Sequence, residues 1–95
     1  MTETVSKTKT SYYRRLYLAF LIESGINTPK AIIEATDMPR RTLQDTLKAL
    51  PDLDIICQTQ GGTKAMSYHI ESWGAIDKNW IEDHLDHVKA VLQYP

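Results

Sequence analysis

At 95 residues the chain is long enough to build one hydrophobic core and not a second. Its 42% hydrophobic and 24% charged residues exclude a disordered chain, and its longest apolar run, Leu16 to Ile22, is far short of the roughly 20 residues that cross a bilayer. The formal net charge of −1 hides an asymmetry: residues 1–50 carry eight Lys/Arg against five acids, residues 51–95 three against seven, so a basic and an acidic face are expected on one small body.

Residues 1–10 are rich in Thr, Ser, Lys and Glu without apolar periodicity and read as a flexible arm, leaving 11–95 as a single domain. Thr10 or Ser11 is placed to cap a first helix. From Tyr12 to Ile22 that helix is apolar or aromatic nearly everywhere except Arg14 and Arg15, so it must be covered on more than one side. Ser24-Gly25 supplies its stop. Thr28-Pro29 opens a second, short helix through Ala31, Ile32, Ile33 and Ala35, with a hydroxyl cap and a proline whose missing N–H costs nothing there. Asp37-Met38-Pro39 breaks it, because the residue before a proline is pushed out of the α region. A third helix starts at Pro39 or Arg40, buries Leu43, Leu47 and Leu50 on one face, and is closed by Pro51.

The alternation of Leu53, Ile55 and Cys57 against Ile56, Gln58 and Gln60 predicts a strand over 53–60. Gln60-Gly61-Gly62-Thr63 is hairpin chemistry, and Lys64 to Ile70 returns with Met66, Tyr68 and Ile70 on one side. Asp77 caps a last helix, 77–93, whose apolar stripe is Trp80, Ile81, His84, Leu85, Val88, Val91 and Leu92. The fold class that follows is mainly α with a small antiparallel β-hairpin, in the order helix-helix-helix-strand-strand-helix.

The run TPKAIIEATDMPRRTLQDTLKAL, Thr28 to Leu50, resembles a prokaryotic helix-turn-helix, and DIICQTQGGTKAMSYHI, Asp54 to Ile70, looks like the wing that follows one. On these stretches the chain is similar to the short, largely uncharacterised bacterial winged helix-turn-helix DNA-binding proteins. The resemblance implies sequence-specific binding of double-stranded DNA as a small transcriptional-regulator-like protein, with a recognition helix at about 40–50 in the major groove and a wing at 60–64 on the backbone or minor groove. It makes Arg40 and Arg41 base or phosphate readers and Thr42 a first-turn phosphate contact. Gln44 and Asp45 occupy the next base-facing turn, and Lys48 lies near the backbone. Arginine pairs with guanine and glutamine with adenine, whereas Asp45 must accept from cytosine or hold Arg41 four residues before it. Lys30, Thr63 and Lys64 are further candidate DNA contacts, with Gln58 and Gln60 along the wing's edge and Arg14 and Arg15 among the phosphate-facing cations.

The greasy first helix and the near-heptad repeat of the last predict a homodimer, with Tyr13, Tyr17, Trp80, Ile81, Leu85, Val88 and Leu92 at its interface. A rival reading is a winged-helix adaptor whose acidic second half docks a basic protein. No nucleophile, base and orienter converge in the sequence, so no enzyme is expected. His84 and His87 beside Glu82, Asp83 and Asp86 have spacings a metal could use; without a Cys/His cluster they read instead as one histidine in the stripe and one in solvent. Cys57, the single cysteine, excludes an internal disulfide, fits a reducing cytoplasm and reads as a small strand residue. No apolar segment of an export signal follows Lys7 and Lys9, so a cytoplasmic protein without a membrane span is expected. The sequence names neither a cofactor nor a small-molecule effector.

Overall fold

In the computed structural model, which describes residues 6–62 and 66–94, helix starts are written in local side-chain chemistry. Helix α1 (Lys7–Glu23) is capped by Ser6, whose hydroxyl accepts from the Lys9 N–H at 3.1 Å. It therefore begins ahead of Thr10 and Ser11, and residues 7–10 are helical rather than part of an arm. Helix α2 (Pro29–Thr36) begins as expected: the Thr28 hydroxyl accepts from the Ala31 N–H at 3.2 Å, and Pro29 opens the first turn. Asp37 ends it in the left-handed region at φ 60°, its N–H donating to the Ile33 carbonyl at 2.7 Å.

Helix α3 (Arg40–Ala49) buries Leu43 and Thr46, while Leu47 is only half-buried. Thr46 joins the inner face because its hydroxyl donates to the Thr42 carbonyl at 2.7 Å, which satisfies its one polar group within the helix. Pro51 does not stop the chain at once. It enters a 3₁₀ turn, Leu50–Leu53, which Asp54 ends in the left-handed region at φ 61°. Leu53 thus belongs to that turn and not to a strand, and strand β1 runs only over Ile56–Gln60.

Strand β1 pairs antiparallel with β2 (Ser67–Ser72), setting Cys57 opposite Ile70 and Thr59 opposite Tyr68. Tyr68 and Ile70 are buried and His69 is exposed, the alternation predicted for the return strand. The Tyr68 N–H also donates to the Asn27 carbonyl at 2.7 Å, fastening the hairpin to the α1–α2 connection. After β2 the chain passes close to Asp54. A Cβ on Gly74, at φ +59°, would stand 2.7 Å from the Asp54 carbonyl oxygen and 2.9 Å from its Cβ. Gly74→Ala should consequently cost about 2–4 kcal/mol, from the left-handed backbone and the clash together. Urea unfolding of the variant beside wild type measures this as a lowered midpoint.

The expected last helix, 77–93, is two helices: α4 (Lys78–Asp83), capped by Asp77, and α5 (Leu85–Leu92). The break lies at His84 (φ −120°, ψ 25°), whose ring Nδ1–H donates to the Trp80 carbonyl at 2.7 Å. That carbonyl would have taken the His84 backbone N–H in a continuous helix, and the N–H bonds the Ile81 carbonyl instead.

Two core clusters explain the apolar circumference of α1. Leu16, Leu18, Ala19 and Ile22 meet Ile32, Leu43, Leu50, Ile55, Ile70 and Ile81; Tyr17 and Leu21 meet Val88 and Leu92. Of the residues expected at a dimer interface, Tyr17, Val88 and Leu92 are buried where α1 meets α5 of the same chain, and Ile81 of α4 is buried in the main cluster. Among the described residues no helix is long and apolar enough to cross a membrane.

Candidate nucleic-acid interface

With Leu43, Thr46 and Leu50 turned inward, α3 leaves Arg40, Arg41, Gln44, Asp45 and Lys48 exposed and Thr42 half-buried. Its N-terminus differs from those of the helices around it. Ser6, Thr28 and Asp77 cap α1, α2 and α4 through their side chains, whereas α3 and α5 start with no side-chain cap, and of these two only α5 has an acid, Asp86, in its first turn. Two arginines occupy the first turn of α3, beside the positive end of the helix dipole. Backbone N–H groups without a cap and two added cations make a pole that an anion would relieve.

The chain's own acids do not supply that anion. The one ion pair among the described residues joins Lys78 to Glu23 at 3.2 Å and involves no residue of α3. Of the two roles open to Asp45, holding Arg41 is therefore not realised within the described chain. Asp45 instead lines a polar cleft of about 200 Å³ between α1 and α3, together with Ser11, Arg14, Arg15, Thr42, Thr46 and Ala49. Lys48 is exposed in the last turn of α3, where a cation also complements the negative helix end. Lys30 is exposed at the start of α2.

Arg40 lies within electrostatic range of β2. Burial pushes the Tyr68 phenol above its ordinary pKa, the Cys57 thiol adds to the rise, and the Arg40 guanidinium opposes it. Thr63 and Lys64, expected at the wing tip, lie outside the described residues. Of the wing-edge glutamines, Gln58 donates through Nε2 to Glu71 at 2.9 Å across the hairpin, while Gln60 is exposed.

A second, apolar hollow of about 360 Å³ opens between α1 and α4, lined by Tyr12, Tyr13, Leu16, Ala75, Ile76, Asp77, Trp80 and Ile81. Tyr12 and Trp80 are each 39% exposed there, a large fraction for such rings. His84 is exposed and stacked on Trp80 at 4.2 Å, not set in an apolar stripe, and His87 meets the Tyr13 ring edge-on at 5.7 Å. Leu85 is half-buried and lines a separate hollow with Tyr17, Phe20 and Lys89. Among the described residues no three His, Cys, Asp or Glu side chains are grouped so as to hold a metal.

Sequence reasoning finds the outward face of α3 from leucine spacing. It misses the joint cleft of Arg14, Arg15 and Asp45, whose only sequence signal is a charged pair inside an otherwise apolar helix.

A family profile described as winged helix-turn helix matches residues 7–92. The chain is similar throughout to the crystal structure of a DUF2131 family protein from Shewanella amazonensis SB2B, with a TM-score of 0.91 and 33% identity over 99% of this chain and 94% of that one. No curated protein matches. Three helices followed by an antiparallel hairpin, with an uncapped, arginine-bearing third helix exposed beside it, agree with the profile: the chain belongs to the winged helix-turn-helix family, whose domains typically bind DNA and are non-enzymatic.

Proposed function

We propose that this protein is a small cytoplasmic transcription-regulator-like factor that binds double-stranded DNA sequence-specifically, with α3 in the major groove and the wing on the backbone or minor groove. The observation that carries the reading is the N-terminus of α3: two exposed arginines, no cap, no acid and no ion pair within the described chain. Arg40, Arg41 and Gln44 reach base edges, with Asp45 at the border of that face. Thr42, Lys48 and Lys30 hold the backbone, joined by Thr63 and Lys64 from the wing.

Binding to a random-sequence duplex, followed across a salt series, tests this. Four to six phosphate contacts predict a log–log slope of roughly −4 to −5. No binding at low salt would favour the adaptor reading instead. That second reading draws on the acidic surplus of residues 51–95 and on a hairpin segment, residues 54–70, in which Lys64 is the single Lys or Arg.

We further propose that the working form is a homodimer, joined through the surface still open to a second copy. Tyr13 and Trp80 border the α1–α4 hollow, and Leu85 follows on the next helix. Two recognition helices would then address half-sites about 34–36 Å apart. Trp80→Ala removes an exposed ring without opening the core, so light scattering after size exclusion should register a loss of dimer in a still-folded protein. Wild type at the 10.9 kDa of one chain would rule the dimer out.

A further inference from the structure

The cleft between α1 and α3 has a feature that the packing of the domain does not use. Arg14 is half-buried, and its Nε is fully shielded from solvent with no hydrogen-bond partner among the described residues. A guanidinium stays charged at every physiological pH, so Arg14 brings a permanent cation to the lining of this cleft. The same cleft is lined by Arg15 and by the hydroxyl-bearing Ser11 and Thr42, and neither arginine forms an ion pair within the described chain. Two guanidinium forks, hydroxyl groups and a volume of about 200 Å³ suit a tetrahedral oxyanion. Thr42 and Thr46 of α3 form the opposite wall, so the anion would lie alongside the recognition helix.

We propose that this cleft is a phosphate seat, in which Arg14 and Arg15 grip a backbone phosphodiester flanking the groove that α3 enters. The inference rests on the DNA-binding reading above and deepens it: α1 sets the register of the duplex, while the start of α3 reads it. Asp45 is the one carboxylate lining the cleft, and it opposes the bound anion. Its removal is accordingly expected to strengthen binding to every sequence, the opposite of what a base-reading aspartate would give.

The test is fluorescence anisotropy on a short random-sequence duplex over a salt series, with circular dichroism melting as the control for folding. Arg14→Gln and Arg15→Gln should each lower affinity about tenfold and flatten the salt slope by about one. Arg14→Lys should keep the slope and lose affinity, because an ammonium cannot reproduce the fork. Asp45→Asn should tighten binding. In wild type, the Arg14 Nε–Hε resonance should shift on adding duplex, a readout that does not depend on any variant folding.

Wild type that binds duplex while Arg14→Gln and Arg15→Gln keep its affinity and slope, or while the Nε–Hε resonance stays still, overturns the phosphate seat and leaves DNA binding by α3 standing. A resonance that moves with inorganic phosphate in a protein that does not bind duplex overturns the duplex as the source of the phosphate, and the DNA-binding reading with it.

Discussion

Replacing Arg40 and Arg41 together by alanine should lower affinity for a cognate site by about a hundredfold or more and leave the fold at least as stable. Each guanidinium that reads a base contributes about 1–3 kcal/mol of discrimination, and neighbouring readers do not add simply. Neither side chain is buried, and neither is ion-paired among the described residues. Both stand in the first turn of α3, where cations oppose the helix dipole. Their removal therefore relieves an unfavourable interaction in the free protein while deleting favourable ones in the complex. Anisotropy on a selected duplex and a thermal melt of the same preparation read the two effects separately. An affinity within twofold of wild type would take the start of α3 out of the interface.

Leu43→Ala should act in the opposite way. Leu43 is 1% exposed in the main core cluster and is the buried anchor in the first half of α3. Truncating a buried leucine costs about 2–5 kcal/mol, against a total of about 5–15 kcal/mol for a domain of this kind. The melting temperature should fall by about 10 °C or more. At low temperature the fraction that remains folded should still bind DNA, since the arginines on the outer face are unchanged. A melting temperature within about 2 °C of wild type would mean that α3 is not anchored through this residue.

How much of this was legible beforehand depended on whether the deciding interaction was local. The start of α2 was readable because Thr28 and Pro29 carry its cap chemistry in adjacent residues. The outward face of α3 follows from the leucines, yet Thr46 gives no apolar signal, because only when its hydroxyl bonds within its own helix does it pack like an apolar group. The start of α1 is not fixed by sequence, because Ser6, Thr10 and Ser11 are all competent caps and only the fold selects among them. The interruption at His84 rests on a side chain taking a backbone acceptor, which apolar periodicity does not register.

The dimer residues show a different limit. Tyr17, Val88 and Leu92 have the sequence signature of surplus apolar surface, which is the same whether α1 meets an α5 in its own chain or in another. Asp45 lies at the right spacing to hold Arg41, but α1 places Arg14 and Arg15 along the same cleft as that carboxylate. No reading of α3 in isolation could include the opposite wall.

The most direct test of the α3 interface is to titrate isotopically labelled protein with duplex DNA and follow its backbone and arginine N–H resonances. The largest shifts should fall on Arg40, Arg41, Gln44 and Lys48, with little change over α4 and α5. Shifts concentrated on the acidic helices, or none at all at low salt, would contradict recognition of DNA by this helix.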